Sequence, residues 1–239
     1  MKHKIITFGE LMLRLSPDNN ERFTQAHSYE AVYGGGEANT AVSLANFNVD
    51  TRYVTKLPKH TIGQSAVNSL RQYGVDVSRI VRGGDQIGIY FLEKKTSQRP
   101  TNVIYNRNDS AFALATKEDF DWDSIFDGAT WFHFSGITPA ISDNMAEITI
   151  EACKEAKKRG ITVSCDLNYR SKLWSSEKAN KVMSEVCRYV DICIANEDDA
   201  VGIFGMDASK SDKEKNAYIA EELTKMFPNF KMVASVWRT

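Results

Sequence analysis

The 239-residue sequence lacks the features that mark several large classes of protein. Its 30 basic and 31 acidic residues give a formal net charge of −1, whereas nucleic-acid and membrane-surface proteins usually carry a basic excess. No window approaches the run of about 18 apolar residues that a transmembrane helix needs. The opening MKHKIITFGE has too short an apolar run for a signal peptide, and no small-residue cleavage site follows. These absences predict a cytoplasmic protein that binds neither nucleic acid nor membranes.

Cysteine and histidine are scarce, and neither forms a metal-ligand pattern. Cys153, Cys165, Cys187 and Cys193 include no CxxC pair and lie in segments with the pattern of buried helices and strands. This placement predicts free thiols in the core. The four histidines share no ligand spacing, and His133 lies in the strand-like run TWFHFSG. We therefore expect His133 to be a satisfied core or rim histidine and not a metal ligand.

Two phosphate-binding motifs are also absent. The run GGGEAN lacks the spacing of a dinucleotide fingerprint, and no GK[ST] follows it. Three consecutive glycines, Gly34–Gly36, nevertheless precede a helical run. Backbone amides at a glycine-rich helix N-terminus can bind anionic or oxygen-rich ligands closely. A plain turn is the alternative that the glycines alone leave open.

Short apolar runs alternate with helical patterns along the chain. The predicted strands are Ile5–Phe8, Tyr53–Lys56, Thr130–Phe134, Ile161–Cys165, Asp191–Ala195 and Lys231–Val236. The predicted helices are Glu37–Phe47, Ile62–Tyr73, Ser142–Arg159, Glu177–Arg188, Glu197–Phe204 and Lys213–Phe227. This alternation predicts an α/β fold in which helices cover both faces of a mostly parallel sheet.

Two regions depart from the alternation and predict a second, smaller sheet. Residues 88–94 (GIYFLEK) and 101–107 (TNVIYNR) have the pattern of two strands joined by a turn, and residues 11–33 contain no clear helix. Residues 12–33 and 86–109 would form a small antiparallel sheet within a single domain of residues 1–239. Because such a sheet needs a cover, we interpret it as a lid over a site or as half of a homo-oligomer contact.

Polar side chains follow the predicted strands, at the edge where open α/β sheets bind their ligands. The runs SGITPA, DLNYR and NEDDA each follow a strand. Arg107 and Arg170 carry the planar fork that matches carboxylate and phosphate groups, although a solvated position is the alternative for each. The acids of NEDDA either complement a helix dipole or hold magnesium.

The chain carries, in this order, the motifs GGGEANTAVSLA, GIYFLE, YNR, SGITPA, DLNYR and NEDDA. With these motifs, essentially the whole chain resembles the PfkB, or ribokinase-like, sugar kinases. Within that family the similarity favours the 2-keto-3-deoxygluconate kinases. The resemblance implies a ribokinase-like three-layer α/β/α core with a mostly parallel sheet and a small antiparallel β lid. It also implies transfer of the ATP γ-phosphate to a sugar acid with Mg²⁺, converting 2-keto-3-deoxygluconate to its 6-phosphate.

The resemblance also implies roles for particular residues. The implied substrate-binding residues are Gly35, Gly36, Asn39, Tyr90, Tyr105, Arg107, Ile137 and Arg170. The implied nucleotide and phosphate contacts are Asn168, Asn196 and Arg238, and Glu197 and Asp199 would lie near magnesium. Asp199 is shorter than the glutamate that the family commonly carries there.

One residue choice favours a sugar acid over a neutral sugar. Ribokinase-type relatives carry an aspartate after the first strand that binds sugar hydroxyls, whereas this chain has no aspartate between Glu10 and Leu15. A missing carboxylate beside two arginines would suit a substrate that carries its own carboxylate.

One family motif has no counterpart. The family's catalytic base is an aspartate in a C-terminal GAGD motif whose amides also bind the transferring phosphate, and the last glycine here is Gly205. We therefore expect a fragment, a natural truncation or a pseudoenzyme with no catalytic residue of its own. Two further alternatives stay open: a non-catalytic remnant that binds sugar acids, and a kinase of a neutral ketose such as fructose.

This expectation predicts that the 239-residue chain does not phosphorylate 2-keto-3-deoxygluconate. A general base and an anion hole each contribute about a hundredfold or more to the rate, so a chain without either should not turn over. The measurement is a coupled assay with ATP and Mg²⁺. Turnover of about 1 per second or more, an ordinary kinase rate, would contradict it.

Overall fold

A computed structural model describes residues 3–207 and 212–235. Its strands are β1 (Lys4–Phe8), β2 (Met12–Pro17), β3 (Tyr29–Gly34), β4 (Asp50–Val54), β5 (Lys56–Leu57), β6 (Val81–Arg82), β7 (Ile89–Glu93), β8 (Asn102–Asn106), β9 (Trp131–Ser135), β10 (Thr162–Asp166), β11 (Ile192–Ile194) and β12 (Met232–Ala234). Its α-helices are α1 (Gly36–Asn46), α2 (Thr61–Arg71), α3 (Trp122–Ile125), α4 (Ile137–Ala140), α5 (Asp143–Lys158), α6 (Ser176–Cys187), α7 (Glu197–Phe204) and α8 (Asp212–Met226). A strand or helix is present at every segment for which one was predicted, although Val236 lies outside the described residues.

Six strands form the main sheet, in the order β12–β11–β10–β9–β1–β4. Every neighbouring pair is parallel, so the six carboxyl ends meet at one edge. Helices connect successive strands, as parallel pairing requires. The prediction of an α/β fold with a mostly parallel sheet is confirmed. None of the helices in the described part of the chain combines the length and apolar character that a membrane crossing requires.

Four strands form a second sheet, in the order β3–β2–β7–β8. The outer pairs β2–β3 and β7–β8 are antiparallel, as predicted, whereas the central pair β2–β7 is parallel. The prediction of a wholly antiparallel sheet is therefore wrong at its centre. The reason is that β2 and β7 both leave the main domain at one junction, where the Leu13 N–H donates to the Gly88 carbonyl over 2.9 Å. A function as lid or oligomer contact stays a prediction.

Aromatic packing ties the chain that returns from the second sheet to the main sheet. Phe8, at the end of β1, contacts Phe112, Phe120 and Trp122 edge-on, with ring centroids 5.2–5.5 Å apart. Edge-to-face pairs contribute about 0.5–1.5 kcal/mol each beyond the area that they bury. The carboxyl end of β1 is therefore held firmly where the two sheets meet.

The cysteines lie in the core, as predicted, and His133 is half-buried in β9. All four cysteines are buried free thiols. The Ser164 hydroxyl accepts a hydrogen bond from Trp131 Nε1 (2.7 Å), so its own proton can go to His133 Nδ1, 2.9 Å away. Burial lowers the pKa of His133 to about 4. His133 is thus a neutral structural histidine.

His133 should make the stability of the protein depend on pH. Because the unfolded chain binds a proton at an ordinary histidine pKa and the folded chain does not, stability should be complete above about pH 6.5 and should fall as the pH drops towards 4. A shift of this size is worth about 3 kcal/mol. Urea unfolding of the wild type and of His133→Gln, from pH 7 to pH 4, checks this. The free energy of unfolding should fall more steeply with decreasing pH in the wild type than in His133→Gln. The same dependence on pH in both proteins would refute the assignment.

Candidate functional site

The loops DLNYR and NEDDA lie side by side because β10 pairs with β11. The Tyr169 N–H donates to Asp199 Oδ1 over 2.7 Å and joins the two loops. Asn168 has a φ of 37°, in the left-handed region that asparagine tolerates better than most residues. Its N–H donates to Asp166 Oδ1 over 3.1 Å. These bonds fix a turn at the carboxyl edge of the main sheet.

Asp199 has a structural role in this turn. It is 2% exposed, and its second oxygen accepts the Asn196 N–H over 3.1 Å. Asn196 Oδ1 in turn accepts the Asp199 N–H over 2.9 Å, so the two residues form a capping box on α7. The magnesium role implied for Asp199 does not fit this geometry, because both of its oxygens are buried and already accept hydrogen bonds. The Asn196 side chain is likewise engaged in the cap.

Asp166 and Glu197 are two further acidic side chains at this rim. Across residues 3–207 and 212–235, no three His, Cys, Asp or Glu side chains form a group that could hold a metal. Magnesium commonly keeps several waters and takes one or two carboxylates together with substrate phosphates. Both residues are partly accessible, and burial, with the charge of Asp199, raises the pKa of Asp166 to about 6. Asp166 opens the DLNYR motif, yet the site residues taken from the sequence do not include it.

Of the two arginines, Arg170 is exposed at this rim, and its Nη1 donates to the Tyr169 carbonyl over 2.9 Å. Arg107 is instead buried, with only 6% of its side chain exposed, and forms an ion pair with Glu10. The Ser110 hydroxyl donates to Glu10 Oε1 over 2.5 Å. Burial raises the pKa of Glu10, although Arg107 and Ser110 act in the opposite direction. A solvated position is therefore wrong for Arg107.

The expectation that no carboxylate lies beside the arginines is wrong as well. Glu10 follows β1 directly and supplies that carboxylate from within the protein. The sequence shows the residue, but only the packing around it shows that its side chain turns inward. Arg107 Nε is also buried and has no hydrogen-bond partner among the described residues.

Tyr90 and Tyr105 face each other across β7 and β8, with ring centroids 5.8 Å apart. Arg107 Cζ lies 5.8 Å from the Tyr105 ring centroid, and Tyr105 is 48% exposed. The second sheet therefore brings two aromatic rings together with a guanidinium group. Such a surface offers ring faces and donors to a small polar molecule.

Gly35 and Gly36 serve different purposes. Gly35 precedes α1 in an extended conformation, and a Cβ there would lie 2.2 Å from the Glu10 carbonyl oxygen. A Cβ on Gly36 would meet nothing within 4 Å. Close packing thus requires Gly35, while the backbone of Gly36 at the helix N-terminus is open to a ligand. Ligand binding at the Gly36 amide stays a prediction.

The other implied residues lie around the same edge. Ile137 begins α4 after β9 and is half-buried, and Asn39 is exposed on α1. Because β9 alone separates β1 from β10, the ends of these two strands lie about two strand spacings, or 10 Å, apart. The residues around Glu10 lie at the end of β1, and those around Asp166 lie at the end of β10. Arg238 lies outside the described residues.

A cavity of about 540 Å³ lies between β3, α1 and the end of α2. Among the implied site residues it is lined only by Asn39, and it carries no charged side chain. On α1, the helical period puts the residues that line this cavity on the side opposite Glu37. Glu37 points to the main sheet and accepts the Ser135 N–H over 3.0 Å. We therefore assign the candidate site to the edge of the main sheet and not to this cavity.

The chain is similar in sequence to known carbohydrate kinases. The profile of the pfkB family carbohydrate kinases matches residues 2–229. The chain is 38% identical over 209 residues to the 2-dehydro-3-deoxygalactonokinase of Haloferax volcanii, and this match covers 87% of the chain and 65% of that protein. It is 29% identical over 179 residues to the 2-dehydro-3-deoxygluconokinase of Bacillus subtilis, and this match covers 74% of the chain and 55% of that protein. The chain thus spans less than two thirds of these relatives' length.

The fold has a similar solved counterpart. A crystal structure of 2-dehydro-3-deoxygluconokinase from Thermotoga maritima superposes with a TM-score of 0.94 at 49% sequence identity. The match covers 98% of this chain and 71% of that one. A pfkB family carbohydrate kinase from Listeria grayi gives a TM-score of 0.91 at 34% identity.

The two glycines provide a matched pair of substitutions. Gly35→Ala should destabilise the protein by about 1–3 kcal/mol, because the added methyl group overlaps the Glu10 carbonyl. Gly36→Ala should change the free energy of unfolding by no more than about 0.5 kcal/mol, since its methyl group would enter open space. Urea unfolding of both variants measures the difference. Equal stabilities would show that Gly35 is not packed as described.

Proposed function

Because the chain belongs to the pfkB family of carbohydrate kinases, we propose that it forms the sugar-binding part of an ATP-dependent kinase of 2-keto-3-deoxy sugar acids. The observation that carries the proposal is the group formed by Arg107, Tyr90 and Tyr105, in which a guanidinium lies beside two facing aromatic rings. The planar fork of a guanidinium matches the geometry of a carboxylate.

The proposed sugar acid occupies the edge between the Glu10 and Asp166 groups. The Gly36 amide, at the positive end of α1, binds an oxygen of the sugar. Tyr90 and Tyr105 contact the sugar from the second sheet, and Arg107 binds its carboxylate. Relatives named for 2-keto-3-deoxy sugar acids support this choice of substrate.

The proposal implies ATP and Mg²⁺ as the cosubstrate and the metal. ATP supplies the phosphoryl group, and the residues of this chain bind and orient what it reacts with. Asp166 and Glu197 fit a magnesium ion that phosphate oxygens also hold. Arg170, exposed on the same rim with Asn168 beside it, would bind the polar end of the sugar acid or the phosphate.

A kinase of a neutral ketose is the second candidate. Its support is Glu10, a carboxylate in the segment after β1, where a group that binds sugar hydroxyls is expected. The Glu10 side chain is 3% exposed and already bound to Arg107 and Ser110. Because these bonds occupy the carboxylate, we favour the sugar acid.

Calorimetry with 2-keto-3-deoxygluconate, gluconate and fructose tests the proposal. The sugar acid should bind at least about tenfold more tightly than fructose, a difference of about 1.4 kcal/mol. Arg170→Gln should weaken its binding by a similar factor because it removes the charge that would bind the sugar acid. Gly36→Ala should do so because its methyl group, which meets no protein atom within 4 Å, would occupy space that the sugar needs. Arg188→Gln removes an exposed arginine at the end of α6 and serves as the control.

The outcomes separate the candidates. Equal affinity for the acid and for fructose would favour the ketose kinase. Sugar-acid binding that responds to Arg170→Gln no more than to Arg188→Gln would remove Arg170 from the site. Binding of none of the three compounds would contradict the proposed function as a whole.

A further inference from the structure

The chain passes between the main sheet and the second sheet four times. The first crossing joins β1 to β2 through residues 9–11, and the second joins β3 to α1 at Gly35. The third enters β7 through residues 86–88, and the fourth returns from β8 through residues 107–111. Any change in the angle between the two sheets must act on these four segments.

Glu10, in the first crossing, contacts the other three. Its carboxylate pairs with Arg107 and accepts the Ser110 hydroxyl, both in the fourth crossing. The same carboxylate lies against Gly88 in the third, where a Cβ would be 2.6 Å from Oε1. Its carbonyl oxygen lies against Gly35 in the second, 2.2 Å from the position of a Cβ. One residue thus touches every connection between the sheets.

A second carboxylate supports the first crossing from the main-sheet side. Glu37 is buried, its Oε1 accepts the Ser135 N–H, and its Oε2 lies where a Cβ on Gly9 would be, 2.2 Å away. Glu37 binds the end of β9, whereas Glu10 binds the chain that leaves β8. The two carboxylates are therefore similar in burial and different in what they hold.

We propose that Glu10 is a positioning residue, which fixes the second sheet against the main sheet and sets the direction of Arg107. The part that concerns Arg107 and its ligand rests on the proposed function, and the part that concerns the two sheets does not. Three buried groups with directional bonds define one arrangement, because Glu10 forms the ion pair with Arg107 and accepts the Ser110 hydroxyl. Loss of Glu10 should therefore release the second sheet before the main sheet.

Three variants isolate this role. Glu10→Gln keeps the shape of the side chain and removes its charge. Because that change leaves Arg107 buried without a counter-charge and can unfold the chain, the double variant Glu10→Gln/Arg107→Met, which buries no lone charge, is measured with it. Glu37→Gln is the matched control, since it removes an equally buried carboxylate that holds the main sheet.

Amide hydrogen exchange without ligand is the first measurement. In the double variant, and in Glu10→Gln if it folds, exchange in β2, β3, β7 and β8 should be at least about tenfold faster than in the wild type, with β9 and β10 unchanged. Glu37→Gln should not produce this selective change. If the Glu10 variants exchange the amides of the second sheet at the wild-type rate, or if exchange is accelerated equally in both sheets, the proposal is overturned.

The second measurement is ligand affinity by calorimetry. Glu10→Gln, or a Glu10→Asp variant if it does not fold, should bind 2-keto-3-deoxygluconate about tenfold more weakly, because Arg107 no longer has its direction. Glu37→Gln should keep more of the affinity. Wild-type affinity without the Glu10 carboxylate would overturn the role in ligand binding. If the wild type binds no sugar acid, the proposed function fails, and hydrogen exchange still decides how the sheets are held.

Discussion

The arrangement of the two sheets depends on a buried ion pair between Glu10 and Arg107. Removing two charges from water costs several kcal/mol each, and their attraction only approximately repays that cost. The pair therefore adds little to the stability of the main sheet, and its contribution lies in joining the second sheet to it, while the loss of one partner leaves a lone buried charge. Its main consequence is specificity, since few other positions of the second sheet would satisfy both groups. The glycines at positions 35 and 88 leave room for Glu10 to lie there.

Hydrogen bonding and burial also distinguish two acids, Asp199 and Asp166, at the edge of the main sheet. Asp199 uses both oxygens to cap α7 and to hold the neighbouring loop. Asp166 keeps partial access to solvent, and its burial, with the charge of Asp199, raises its pKa to about 6. Acidity at a strand end thus does not by itself identify a metal ligand, and the hydrogen bonds of each carboxylate decide its role.

The sequence predicted the elements better than it predicted their contacts. Apolar periodicity and helix caps are local, so the main-sheet strands and the large helices lie where the pattern indicated. The parallel pairing of β2 with β7 depends on where both strands leave the core, which no local pattern contains. Glu10 and Ser110 bond across a separation of 100 residues, so a buried Glu10 could not be distinguished from a solvated one. The different purposes of Gly35 and Gly36 likewise depend on packing against Glu10.

The most direct test of the account is an NMR titration of the ¹⁵N-labelled protein with 2-keto-3-deoxygluconate. If the sugar acid binds at the carboxyl edge of the main sheet, the shifted amides should cluster at Gly36, Arg107, Ile137 and Arg170. The amides that line the 540 Å³ cavity away from α1, such as those of Ser69 and Gln72, should not move. Shifts confined to that cavity, or no shifts at saturating ligand, would contradict the account.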